Sequence, residues 1–132
     1  MQEVEKLDVS TSRDSAVFYS GDGSRAKAEE FARTFNKMTL EITPGGKYLD
    51  NQLLAQRLPR ELVIKPWERL SQRYAQSASG DVYAFTQNAR AGSVFNRIEL
   101  PTLEINPEVT NIFNRETPYL YETRRFGYAS QN

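Results

Sequence analysis

From residue 66 to residue 85 the chain reads PWERLSQRYAQSASGDVYAF. Trp67, Leu70, Ser71, Tyr74, Ala75 and Ala78 recur at i, i+3, i+4, i+7, i+8 and i+11, the spacing of one helix face. Proline suits a first helical position and glycine a stop, so a helix is predicted from Pro66 to about Ser79, ended by Gly80. Val82 to Phe85 then reads as a strand. A helix that passes through a glycine into a strand belongs to a mixed fold, in which helices cover a sheet.

Working toward the N-terminus, Pro59 and Lys65-Pro66 bracket a linking segment. Tyr48 to Arg57 reads as a short helix with Leu49, Leu53 and Leu54 turned inward, and Thr43-Pro44-Gly45-Gly46 as a turn or loop. Ala28, Phe31, Ala32 and Phe35 form the apolar stripe of a helix from Ser24, its expected N-cap, to about Asn36. Before it, Ala16-Val17-Phe18-Tyr19 is a short buried strand running into the turn Ser20-Gly21-Asp22-Gly23-Ser24. Residues 1–14 are polar and unpatterned and are expected to form a mobile arm. Toward the C-terminus, Val94 to Leu100, stopped by Pro101, and Val109 to Phe113 read as two further strands. Phe126 and Tyr128 are candidates for a closing strand or tail. The expected architecture is α/β (α+β): one domain over residues 15–132, preceded by the arm, with a small sheet covered by helices.

The composition removes whole classes of chemistry. The 132 residues contain neither cysteine nor histidine. Thiol nucleophiles, zinc thiolates, disulfides, histidine metal sites and the Ser-His-Asp triad are therefore out. Seventeen basic residues balance seventeen acidic ones, so no excess of positive charge recommends a nucleic-acid coat or a membrane surface. No apolar run is long enough to span a bilayer, and Met1-Gln2-Glu3-Val4-Glu5-Lys6 lacks the pattern of a signal peptide. A cysteine-free chain fits a reducing compartment.

Two glycine motifs invite a phosphate reading. Gly21-Asp22-Gly23-Ser24-Arg25-Ala26 fits G-x-G-x-x-A between a strand and a helix, but the chain is too short for a full dinucleotide fold, and a tight turn accounts for the same glycines. Thr43-Pro44-Gly45-Gly46-Lys47 has the wrong spacing for a P-loop, and Tyr48 stands where Ser or Thr is needed. Trp67, one turn before Ser71, reads either as core or as a ring that stacks on a flat ligand. Glu41 and Glu99 are each, taken alone, ordinary solvated glutamates, although Glu99 lies at the end of a predicted strand.

Four segments taken in order resemble the ADP-ribosyl cyclase / cyclic ADP-ribose hydrolase family, which cleaves nicotinamide from NAD. They are Phe18-Tyr19-Ser20-Gly21, Thr39-Leu40-Glu41, Trp67-Glu68-Arg69-Leu70-Ser71 with Tyr74-Ala75-Gln76-Ser77-Ala78, and Ser93-Val94-Phe95-Asn96-Arg97-Ile98-Glu99. The likeness runs from about residue 16 to residue 113. It implies a mostly parallel sheet of about four strands with helices around it, as in the C-terminal half of the cyclases. It implies that Glu99 is the catalytic glutamate and that Trp67 and Tyr19 are the aromatic gate, with Tyr19 where tryptophan is usual. It implies that Glu41 contacts the nicotinamide amide and biases cyclisation against hydrolysis. Ser71 would lie near the reacting ribose, Ser20, Val94 and Phe95 around the phosphates, and Asp50 would be a further pocket acid. Ile42 replaces an acid that often follows the T-L-E glutamate.

Animal members are longer and disulfide-stapled. A small cysteine-free version resembles the toxin modules at the C-terminal ends of bacterial contact-dependent inhibition and other polymorphic toxins. The resemblance therefore implies an NAD(P)+ glycohydrolase with no cofactor and no metal, NAD or NADP being the substrate. It implies action in the cytoplasm of a target bacterium after delivery within a larger secreted or surface protein, and a cognate immunity protein as partner. Neither nucleic acid nor membrane insertion is implied for the domain. Two alternatives stay open: a metal-independent ribonuclease toxin holding phosphates with Lys65, Arg69, Arg73 and Arg97, and a non-catalytic nucleotide-binding domain in which Trp67 and the aromatics are only core.

Overall fold

The computed structural model describes residues 2–21, 23–86 and 90–114. A 3₁₀ turn, Gln2–Lys6, precedes strand β1 (Val17–Tyr19) and helix α1 (Ser24–Phe35). A second 3₁₀ turn, Leu40–Ile42, leads into α2 (Pro44–Gln56) and α3 (Arg60–Ser77), which feeds β2 (Gly80–Phe85). A π-helical turn, Phe95–Glu99, runs directly into α4 (Leu100–Ile105), and β3 (Val109–Asn114) follows.

The three strands form one parallel sheet in the order β1-β2-β3. Phe18 pairs with Ala84, and Val82 with Ile112. A single parallel bridge between Ala16 and Met38 continues the ladder beyond β1. Parallel strands are covered on both faces, and the side-chain alternation here shows it. Phe18, Val82, Ala84 and Ile112 pack with Leu70, Tyr74, Phe95 and Leu103 from α3, the π turn and α4. Val17 and Phe85 point the other way, against Ala28 and Ala32 of α1.

Several sequence expectations change. Among the described residues the sheet has three strands where about four were expected, and residues 94–100, read as a strand, are helical. Phe95, Glu99, Thr102 and Leu103 are the buried positions of the π turn and α4, at helical and not alternating spacing. Ser93 caps this helix, its hydroxyl accepting from Asn96 N–H at 3.2 Å. Pro101, read as a strand stop, lies in the first turn of α4, where the missing N–H does no harm. Glu99 accordingly sits on a helical turn and not at a strand end.

The third helix starts at Arg60, so Pro66 is internal to it. Proline there leaves the Leu62 carbonyl without its intrahelical donor. Thr43-Pro44-Gly45-Gly46 is no loop: Thr43 is the N-cap of α2 and accepts from Gly46 N–H at 3.0 Å. Both Thr-Pro at a helix start and a glycine turn satisfy the same letters, and packing selects the helix. A Cβ on Gly46 would lie 2.0 Å from the Leu40 carbonyl oxygen, so only glycine lets α2 approach the turn Leu40–Ile42. Leu54, expected inward, is exposed, while Leu49 and Leu53 are buried. Ser24 is the first residue of α1, and Gly23 at φ 66° caps it.

Residues 1–14 were expected as a mobile arm, but residues 4–9 lie against α3. Val4 and Val9 are buried in the main core. Arg73 Nη1 donates to the carbonyls of Val4 (2.7 Å) and Leu7 (2.8 Å), and Arg69 forms a two-pronged pair with Glu5 at 2.5 and 2.8 Å. Their polar letters hid two buried valines. Phe126 and Tyr128 lie outside the described residues. No helix among the described residues is long and apolar enough to cross a membrane.

Candidate active site

The C-terminal end of β1 opens into a cleft of about 200 Å³. That is close to the roughly 150 Å³ space that holds a benzene ring. Tyr19, the last residue of β1, forms one wall. Glu41 reaches the cleft from the turn Leu40–Ile42, whose position is set by the Thr43 hydroxyl donating to the Leu40 carbonyl at 2.7 Å and by the close approach of Gly46. Trp67, Ser71 and Tyr74 line it from successive turns of α3. Glu99 of the π turn and Val94, the residue before that turn, close it.

Six sequence-predicted residues therefore meet in one cleft: Tyr19, Glu41, Trp67, Ser71, Val94 and Glu99. The chain's single tryptophan is among them. Three do not line it. Phe95 is buried in the core with its ring 6.2 Å from that of Phe18. Ser20 lies just past β1, its N–H donating to the Phe85 carbonyl at 2.8 Å. Asp50 is exposed on α2 and lines a neighbouring groove that shares only Trp67 with the cleft. The sequence reading missed Tyr74 as a lining residue. Its hydroxyl lies 2.7 Å from the Met38 carbonyl and accepts from Val17 N–H at 3.2 Å, tying α3 to β1 beneath the cleft. The helical stripe had flagged it as apolar, and no pattern signals a buried hydroxyl that ties two elements together.

The cleft is acidic within apolar walls. Glu99 is 7% exposed. Burial first, and then the charge of Glu41, push its carboxyl up to about 8, while a hydrogen bond from Ser71 opposes the rise. The Tyr19 hydroxyl donates to Glu41 Oε2 at 2.7 Å. Burial, and then Glu41, push that phenol above the ordinary tyrosine range. Glu41 Oε1 is buried with no hydrogen-bond partner among the described residues. The Arg25 guanidinium sits over the Tyr19 ring, 5.8 Å from its centroid. Such a site suits a flat ring with a positive charge and a hydrogen-bond donor: aromatic walls for the ring, carboxylates for the charge, and a vacant acceptor for the donor.

Three of the four cations suggested for a ribonuclease are engaged elsewhere. Arg69 and Arg73 hold the N-terminal segment, and Arg97 pairs with Glu68. Among the described residues no cluster of three carboxylates is placed to hold a metal ion.

No protein-family model and no curated protein matches the chain. Solved structures do. CD38, in a study of its catalytic mechanism, superposes with a TM-score of 0.63 at 24% identity, over 86% of this chain and 54% of its own. An Aplysia cyclase complexed with the substrate NGD and the product cGDPR gives 0.57 at 22% identity, over 76% and 47%. A glutamate-to-alanine variant of an ADP-ribosyl cyclase gives 0.56 at 23% identity, over 76% and 48%. The chain spans about half the length of these proteins and shares their fold.

Proposed function

We propose that this chain cleaves the nicotinamide–ribose bond of NAD+ or NADP+ to give nicotinamide and ADP-ribose. The observation that carries the proposal is a buried glutamate, Glu99, facing a second one, Glu41, across a cleft walled by Trp67 and Tyr19. The shared fold with cyclases supports it.

The reaction suits these residues. The nicotinamide ring is cationic while bonded to ribose and departs with the bonding electron pair as a neutral base, so no general acid is needed, and a site without histidine can perform the step. The barrier lies in the oxocarbenium-like ribose, which a carboxylate beside the anomeric carbon stabilises. Before the cationic ring binds, Glu99 keeps a proton at neutral pH. Entry of the cationic ring favours its ionised form, and the Ser71 hydrogen bond does the same. Trp67 and Tyr19 hold the ring and exclude water, while Glu41 Oε1 accepts from its carboxamide. The helix start beside Val94 would face the pyrophosphate. Water then attacks the anomeric carbon to give ADP-ribose, and attack by a folded-back adenine gives the cyclic product.

We further propose that the chain acts as an antibacterial toxin. It would drain NAD(P) in the cytoplasm of a target cell after delivery within a larger protein, and an immunity protein would block it. Its lack of cysteine supports this reading. Chromatography of the products from NAD+ tests the chemistry. Nicotinamide release by the native protein, lost on Glu99→Gln, is expected, and no release, or equal release by both, refutes it. Induced expression in a bacterium tests the toxin role, and undiminished NAD(P) and growth refute it.

A further inference from the structure

The pairing of Tyr19 with Glu41 has no counterpart in a role limited to stacking. We propose that Tyr19 is a positioning residue: its phenol hydroxyl pins one oxygen of Glu41 and so fixes the direction in which the other oxygen meets the substrate. The proposal deepens the nicotinamide-cleaving reading and rests on it for its kinetic test.

Four observations lead to it. The backbone of Glu41 is held by the Thr43–Leu40 hydrogen bond and by the seat of the turn on Gly46. The side chain beyond that backbone has one described hydrogen bond, the 2.7 Å contact from the Tyr19 hydroxyl to Oε2. Oε1 is buried and unpartnered, so it is an acceptor held in readiness. Leaving a buried acceptor unmet costs free energy, which a bound donor recovers. Tyr19 also keeps its proton, because burial and the neighbouring carboxylate both oppose ionisation, and it remains a donor throughout the working pH range. A freely rotating glutamate in this cleft would swing its charge toward solvent or toward Glu99. The phenol prevents both. A flat ring at position 19 without the hydroxyl would supply the wall and lose the pin.

The test is a double-mutant cycle on the intact chain. Tyr19→Phe keeps the ring and removes the hydroxyl. It is expected to raise KM for NAD+ on the order of tenfold, with kcat changed less than threefold, because the lost contact serves binding in ground and transition states alike. In a Glu41→Ala background the same substitution is expected to change KM less than twofold, since nothing is left to pin. Equal effects in the two backgrounds overturn the proposal. Tyr19→Leu, which likewise has no donor, serves as the second variant should Tyr19→Phe misfold: it is expected to raise KM more in the native background than in Glu41→Ala, and equal effects in the two overturn the proposal.

A substrate-free measurement separates this inference from the functional reading. NMR relaxation of labelled glutamate side chains is expected to find Glu41 rigid in the native protein and mobile in Tyr19→Phe. A Glu41 equally rigid, or equally mobile, in both overturns the positioning role. A native protein that releases no nicotinamide overturns the glycohydrolase reading alone.

Discussion

Replacing Glu99 by glutamine should stabilise the protein while stopping its chemistry. Below about pH 4 the carboxyl is protonated in both the folded and unfolded chains and costs neither anything. As the pH rises, the unfolded chain ionises near 4.5 while the folded site holds its proton to about 8. Over that interval the folded state binds more protons, so stability falls with pH. At 1.36 kcal/mol per pH unit the loss is about 3 kcal/mol at pH 7 and about 5 kcal/mol above pH 8. Glutamine has the same shape, can still bond to Ser71 and does not titrate. Unfolding of native and Glu99→Gln proteins by urea and by heat, at pH 4, 7 and 8, measures the difference. The two should agree within about 1 kcal/mol at pH 4. At pH 7 the variant should melt roughly 10 °C higher, given a few degrees per kcal/mol for a chain of this length. Nicotinamide release should fall at least about 100-fold. A gap of the same size at pH 4 and pH 8, or none at pH 8, would refute the reasoning, because it would mean that burial at position 99 does not hold the proton. Loss of stability to keep a buried titratable group is a familiar compromise of functional sites.

The pH profile of kcat/KM reports the free enzyme and should rise through a group near 8, while the acid limb of kcat should lie at least about one pH unit lower because the bound cationic ring favours the ionised carboxyl; superimposable limbs would count against Glu99 as the group. Gly46→Ala should cost at least about 2 kcal/mol in chemical denaturation and raise KM for NAD+, because the new Cβ displaces the turn that carries Glu41. Arg73→Ala should cost about 2 kcal/mol by removing the charged donor from the Val4 and Leu7 carbonyls, and hydrogen exchange at residues 4–9 should accelerate.

The sequence made some of this legible and concealed the rest for identifiable reasons. The helix read from Pro66 to about Ser79 and the strands read at Ala16–Tyr19, Val82–Phe85 and Val109–Phe113 formed with shifted ends, as Arg60–Ser77, Val17–Tyr19, Gly80–Phe85 and Val109–Asn114. The segment around Val94–Leu100 did not form as read, because a short apolar run ending in proline fits a strand and a helix start equally. The sheet alone would not distinguish them; the deciding contacts are those of Phe95 with Phe18 and of Leu103 with the core. Six cleft residues were found through ordered motifs, since the motifs preserve which side chains face one space even when the secondary structure carrying them is misread. Phe95 misled because it adjoins Val94 in the chain, yet a residue one step along a helix points about 100° away. The Tyr19–Glu41 hydrogen bond joins residues 22 apart and has no local signature.

That angular relation gives the π turn a significance of its own. Phe95–Glu99 contains one residue more than an α-helical turn would, with Leu100 N–H reaching back to the Phe95 carbonyl. Deleting a single residue from this turn would leave the chemistry of every side chain intact and rewind the helix to ordinary phase. Glu99 would then rotate by about 100° relative to the residues before it. Whether the carboxyl meets a ligand or the protein interior is thus a matter of counting, and a protein engineer could switch it by length alone.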